Sequence, residues 1–358
     1  METDIKSYKC PSCSAPLRFD GPTGKLVCDF CGSDFEVEEI KKIYAEEYHE
    51  ESQTQNEQKP TDDGYSGQIP EGMKVFNCKS CGAQMVVEES MAATACPYCG
   101  NSTVLMESID GGFKPDYVLP FKLTKKQAED MLRQYYNGKK FLPTAFKNNN
   151  HIEEIKGVYV PFWLYDGQAE GDMTFNAENV SEHRQGDYRI VEHSHYRVHR
   201  HGFMDFERIP VDGSSNMPDG HMDAIEPFDY SEIKPFSSAY LPGFLAEKYD
   251  TDAEKSKDRA KIRMENTTES AIRSSVTGYD SVHTSGKRIT LRFKPAKYAM
   301  LPVWMLHTRW DGKDFLFAMN GQTGKMVGDL PVDRKKILAW FAGIAVPLMA
   351  ILGFLMLR

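Results

Sequence analysis

The pattern of apolar and polar positions divides this chain into unlike stretches. Residues 1–37 and 72–107 are short, polar and too small to bury a core of their own. Between them, residues 38–51 read EEIKKIYAEEYHEE, where Ile40, Ile43, Ala45 and Tyr48 predict a short, weakly amphipathic helix. Residues 52–70 are rich in Gln, Asn, Asp, Gly and Pro and read as flexible, so residues 38–71 form an acidic linker that isolates the two short segments. Gly111-Gly112 marks a break, and residues 114–333 carry the periodicities of a folded domain.

Within that domain Thr124 and Gln127 predict a capping box, followed by Ala128, Met131, Leu132 and Tyr135 as the core stripe of a helix ending at Asn137-Gly138. Residues 157–165 and 188–206 read as strands. Residues 251–275 read as a charged helix opened by Thr251 and Glu254. Ile289, Leu291 and Phe293 alternate on one strand face, and Asp311-Gly312 predicts a hairpin between residues 298–309 and 314–319. Pro242 interrupts the apolar run at 239–245 and argues against a continuous helix there.

The apolar pattern is strongest at residues 337–357, a run of 21 residues without a charge. At 1.5 Å per residue it spans roughly 31 Å, the thickness of a bilayer core. A buried core helix is the alternative, but the run has no polar face. Arg334, Lys335 and Lys336 precede it and only Arg358 follows, so the positive-inside rule places the N-terminal portion in the cytosol. The first nine residues are too polar for a secretory signal. The expectation is a single-pass, tail-anchored protein of the cell membrane.

Cysteine changes the picture most. All eight cysteines fall in two copies of one pattern: Cys10, Cys13, Cys28 and Cys31, then Cys78, Cys81, Cys96 and Cys99, with identical spacings. Two CxxC pairs suit the closed tetrahedral coordination of structural Zn2+, predicting two zinc ribbons and two Zn2+ per chain. Disulfides or redox-active pairs are the alternatives, and disulfides need an oxidising compartment. The fold class predicted is therefore α+β: two small four-cysteine zinc ribbons, a mixed α/β domain with antiparallel hairpins, and one C-terminal transmembrane helix.

A net charge of −9 argues against a nucleic-acid partner, because phosphate binding rests on Lys and Arg. Residues 1–35 carry Lys6, Lys9, Arg18 and Lys25 against Glu2, Asp4, Asp20, Asp29 and Asp34, and residues 72–105 carry Lys74 and Lys79 against Glu88 and Glu89. Neither ribbon offers a basic face.

Two further patterns stand out. Residues 159–164 (YVPFWL) echo residues 300–305 (MLPVWM), which predicts either two equivalent halves with paired β-bulges, forming a duplicated ligand-binding subdomain, or two core strands that bury Trp alike. His193, His195, His199 and His201 share one strand face with Arg197, a candidate pH-sensing or partner face; the alternatives are a metal site, which the central cation opposes, and a solvated face. No enzyme motif is present: residues 21–25 and 321–325 lack phosphate-loop spacing and read as turns, and no catalytic residue or small-molecule substrate is predicted. The acidic-aromatic stretch 223–230 reads as a loop or partner contact.

The two cysteine ribbons, residues 210–250, the LPVW segment and FAMNGQTGKMVGDLP at 317–331 together resemble a family of Gram-positive bacterial membrane-anchored double zinc-ribbon proteins. They are called TFIIB-type zinc-ribbon or primosomal helicase PriA-like proteins. The resemblance covers essentially the whole chain. It implies a membrane-associated adaptor with protein partners, among relatives that work with phage-shock and SPFH-type membrane proteins in envelope stress. It does not imply helicase activity, since no phosphate loop is present. A nucleic-acid-binding factor of transcription or replication type is the alternative function.

Overall fold

In the computed structural model, residues 5–6, 8–51, 73–77, 84–88, 91–95, 102–105, 115–149 and 152–356 are described. The N-terminal module begins with β1 (Ile5–Lys6) and continues as a meander of β2 (Arg18–Asp20), β3 (Lys25–Val27) and β4 (Asp34–Glu36). Gly24 at φ 69° lets its N–H reach back to the Asp20 carbonyl at 2.8 Å, so the GPTGK segment closes a turn. Helix α1 (Val37–Glu51) follows without a break and buries Ile40.

The second cysteine segment contributes β5 (Met73–Asn77), β6 (Gln84–Glu88), β7 (Met91–Ala95) and β8 (Ser102–Leu105). β5 pairs with β6 and β7 with β8, both antiparallel, on either side of the CxxC positions. Cys78, Cys81, Cys96 and Cys99 themselves lie outside the described residues.

The main domain starts with β9 (Tyr117–Val118) and α2 (Lys125–Asn137), capped as expected: Thr124 and Gln127 make the reciprocal box. Its buried stripe is Ala128, Leu132 and Tyr136, with Met131 and Tyr135 partly buried beside it. After the short α3 (Thr144–Asn149) come β10 (Lys156–Gln185) and β11 (Tyr188–Asp212), far longer than the apolar alternation indicated. Burial covers both faces at the start of β10, alternates along its middle and ceases from Val180 to Gln185, so the apolar pattern fades before the strand ends. Then follow α4 (Asp219–Ala224), β12 (Lys234–Pro235), β13 (Leu245–Glu247), α5 (Ala253–Ser274), β14 (Ser281–Phe293), β15 (Lys297–Trp310), β16 (Lys313–Asn320) and β17 (Met326–Gly328). The cap of α5 is Asp252, which accepts from the Lys255 N–H at 2.9 Å, rather than Thr251. The β15–β16 turn has Asp311 at φ 49° and Gly312 at 72°, the left-handed pair the dipeptide predicts.

β10 is the spine of the sheet. One edge pairs first with β15 and then with β14; the other pairs with β11 and, near its start, with β13. The echoing segments lie side by side on β10 and β15. Tyr159 pairs with Pro302, Val160 with Leu301 and Pro161 with Met300, so a local two-fold passes through the Val160–Leu301 pair. The prolines cause no bulge in this ladder. Their carbonyls face outward and accept from Gly213 (2.9 Å) and Gly321 (2.8 Å), so the edge lacking an N–H lies beyond the last ladder pair with β11 or β16.

The two-fold extends to the surrounding elements. β9 runs parallel to β15 and β13 parallel to β10. Ahead of α2, Lys122 and Leu123 donate to the Gly321 carbonyl, both at 3.0 Å. Ahead of α5, Asp250 and Thr251 donate to the Gly213 carbonyl at 3.0 and 3.1 Å. The domain is thus two interlocked strand–helix–hairpin halves, each lending its helix-leading strand to the other's hairpin.

The N-terminal module is not free of this domain. Tyr8 bonds Ser238 at 2.6 Å, the Phe19 N–H donates to the Pro242 carbonyl at 3.0 Å, and Leu17, Phe19, Leu26 and Ile40 belong to one apolar core with Phe121 and Tyr159. The expected independence of the first ribbon gives way because Phe19 and Leu26 have too little module of their own to cover them. The second segment also joins the main sheet: β7 pairs with β13, and β8 with β1.

Among the described residues one helix, α6 (Arg334–Met356), is long and apolar enough to cross a membrane, and its apolar window is not buried by the other described elements. Its start is fixed to the domain: Asp333 donates its N–H to the Phe141 carbonyl at 2.8 Å and the Lys336 ammonium donates to the Leu142 carbonyl at 2.6 Å. Trp340 packs edge-on against Phe141, beneath the Lys140 ammonium.

Candidate metal centre

Cys10, Cys13, Cys28 and Cys31 converge with all four Sγ atoms within 4.8 Å of one another. Cys10 and Cys31 stand 3.6 Å apart, Cys13 and Cys28 3.5 Å apart. Four sulfurs about 2.3 Å from a tetrahedral ion sit roughly 3.8 Å from each other, so the group could hold a metal ion.

The backbone builds two matching knuckles. The Cys10 N–H donates to the Ala15 carbonyl at 2.6 Å and the Ser14 N–H to the Cys10 carbonyl at 2.8 Å. The Cys28 N–H donates to the Ser33 carbonyl and the Gly32 N–H to the Cys28 carbonyl, both at 2.9 Å. Each turn requires a left-handed residue after its second cysteine: Ser14 at φ 61° and Gly32 at φ 75°. In the second copy the sequence places Gly82 and Gly100 there.

Cys10 and Cys28 are buried, Cys13 and Cys31 exposed. Four thiols this close cannot all ionise without a cation between them. Hydrogen bonding to the Ser33 side chain and backbone brings Cys31 down to about 6. Cys13 is pushed up to about 12: its bond with Ala15 favours the thiolate, but desolvation and the neighbouring sulfurs outweigh it.

Between Cys28 and Cys31, Phe30 stands at the tip of its knuckle and is 78% exposed. The cysteine spacing alone does not single it out; the signal for it is that the matching place in the second copy holds Tyr98.

The histidines predicted to share a face do so on β11, and β10 supplies the carboxylates that the stripe itself lacks. His193 bonds Glu178, His199 bonds Asp172 at 2.7 Å, and His201 lies 3.4 Å from Glu170. Each acid is diagonal to its histidine across the ladder, which local sequence cannot reveal. His195 stacks on His193. The hydrogen bond from His193 holds the Glu178 carboxyl below its usual range. All four histidines are exposed, and among the described residues only the cysteine group gathers three or more potential metal ligands.

In the acidic-aromatic stretch Ile225 and Phe228 are buried while Asp223 and Asp229 stay exposed, and Asp223 and Glu226 are held by arginines of α5. Asp223 pairs with Arg259 at 2.9 Å, and Glu226 bonds Arg263 through both oxygens at 2.8 and 2.6 Å. Burial pushes the Glu226 carboxyl up despite that arginine.

These features define a class: a cysteine-cluster protein with a mixed α/β domain of antiparallel sheets and one apolar C-terminal helix. No family model matches the chain, and no solved structure matches it. The chain is 36% identical over 341 residues to the uncharacterized protein YdjG of Bacillus subtilis (strain 168), covering 95% of this chain and 94% of that one. It belongs to the same family as YdjG.

Proposed function

We propose that the chain is a membrane-anchored zinc-ribbon adaptor that holds protein partners at the cytosolic face of the cell membrane. The observation that carries this reading is Phe30, an exposed aromatic on a knuckle stiffened by four convergent cysteines. A rigid aromatic side chain loses little entropy on burial, and aromatic residues, Phe among them, are enriched in the cores of protein interfaces. Tyr98 would give the second ribbon the same anchor.

Zinc suits the site because four sulfurs close a tetrahedron and leave no position for a reacting water. The cysteines of the second copy would take a second ion in the same way. α6 would serve as the anchor, with Arg334, Lys335 and Lys336 on the cytosolic side and Trp340 at the interface. Partners of phage-shock or SPFH type fit the family resemblance, and the acidic balance of the first ribbon disfavours nucleic acid.

The test is crosslinking mass spectrometry on membranes bearing the full chain, comparing wild type with the Phe30→Ala/Tyr98→Ala double variant. The adaptor reading expects discrete protein crosslinks that the variant loses while its zinc content and membrane fraction stay unchanged. Unchanged crosslinks in the variant argue against it. Sub-micromolar, salt-sensitive binding of DNA by the full chain would restore the nucleic-acid reading.

A further inference from the structure

The local two-fold makes an unequal pair of its two tryptophans. Trp163, on β10, donates its indole N–H to the Thr251 carbonyl at 2.9 Å. Trp304, its equivalent on β15, is 4% exposed, and its indole N–H meets no acceptor among the described residues. Thr251 corresponds to Leu123, yet no bond forms there. Instead Trp304 and Leu123 line a cavity of about 700 Å³ between the N-terminal module, α2 and β15, within the usual size of ligand sites.

The helices bordering the two tryptophans differ in the same sense. α5 has Asp252 as its cap and Glu254 in its first turn, so its positive end is matched by carboxylates. α2 has a neutral cap, no acid in its first turn, and Lys125 and Lys126 instead, both at the cavity mouth with Lys156. The ammonium groups of these three lysines make no hydrogen bond or ion pair among the described residues. Arg18 also lines the cavity, but Asp20 at 3.4 Å and Asp29 at 3.2 Å already neutralise it. The floor is apolar, with Phe244 beside Trp304.

An apolar floor, an unpaired buried donor, an uncompensated helix N-terminus and three free lysines share one complement. We propose that this cavity binds a small amphiphilic anion, an alkyl or aryl body bearing a carboxylate or phosphate. The body lies against Phe244 and Trp304, and the anionic group sits at Lys125, Lys126 and Lys156 beside the N-terminus of α2. The site is independent of the adaptor reading and stands or falls without it.

The test uses the full chain in zwitterionic nanodiscs with 15N-labelled tryptophan, titrated with octyl phosphate, octanoate, octanol and inorganic phosphate. The Trp304 indole resonance, assigned with Trp304→Phe, should shift saturably with octyl phosphate or octanoate while Trp163 stays still. Whichever of the two binds more tightly identifies the head group as phosphate ester or carboxylate. Lys125→Gln/Lys126→Gln should weaken both anions by about tenfold or more and leave octanol unchanged. These lysines are exposed, and an unaltered melting curve checks that the variant folds. Equal response to octanol, indifference to the lysine changes, or a full response to inorganic phosphate alone would overturn the proposal.

Discussion

Trp163 and Trp304 lie at equivalent places on adjacent antiparallel strands, and each is covered by an aromatic ring that leads into the helix of the opposite half. Tyr249 covers Trp163 with ring centroids 4.7 Å apart, and Phe121 covers Trp304 at 5.1 Å. Such edge-to-face pairs contribute about 0.5–1.5 kcal/mol beyond the area they bury. The interlocking explains why two halves of unlike sequence hold one another: neither tryptophan is covered by its own half alone.

The asymmetry between these residues predicts unequal mutants. Trp163→Phe removes a donor from the partly buried Thr251 carbonyl and should cost about 1 kcal/mol more than Trp304→Phe, which breaks no hydrogen bond. Urea unfolding of the full chain in nanodiscs checks this. Equal costs would contradict the hydrogen-bond assignment.

The echo YVPFWL and MLPVWM was visible in the sequence, but its meaning was not. The carbonyls that complete the two-fold belong to Gly213 and Gly321, whose flanking sequences, VDGSS and MNGQT, share little beyond the glycine. The knuckles were legible because cysteine spacing fixes their geometry locally, whereas the docking of Phe19 onto Pro242 depends on distant chain.

That docking changes what a lost cysteine does. If each four-cysteine set holds one zinc, as proposed, Cys28→Ser should lower the metal content of the full-length chain by about one ion in elemental analysis. It should also lower the melting temperature of the main domain, because Leu17, Phe19 and Leu26 share its core. An unchanged domain transition would mean the module's core contacts contribute no stability.

Glu178 and His193 give a pH signature. The folded pKa of Glu178 is depressed, so the stability it contributes is present above its unfolded pKa and is lost as pH falls through the lowered folded value. His193→Gln should return the Glu178 titration upward to the ordinary carboxylate range. NMR titration with 13C-labelled glutamate measures it, and an unmoved Glu178 would show that His193 is not the cause.

Anchoring through α6 predicts that deleting residues 334–358 releases a soluble protein, while the full chain resists alkaline carbonate extraction. In intact spheroplasts, external protease should leave the cysteine modules whole. Digestion of those modules would reverse the orientation derived from Arg334, Lys335 and Lys336.

The most direct measurement replaces Phe30 with a photoreactive phenylalanine analogue in the full chain and irradiates living cells. An adaptor ribbon should give one or a few discrete protein adducts at the membrane, resistant to nuclease and lost when the cysteines are substituted. Adducts to nucleic acid, or adducts that survive loss of the cysteine cluster, would contradict a zinc-ribbon adaptor.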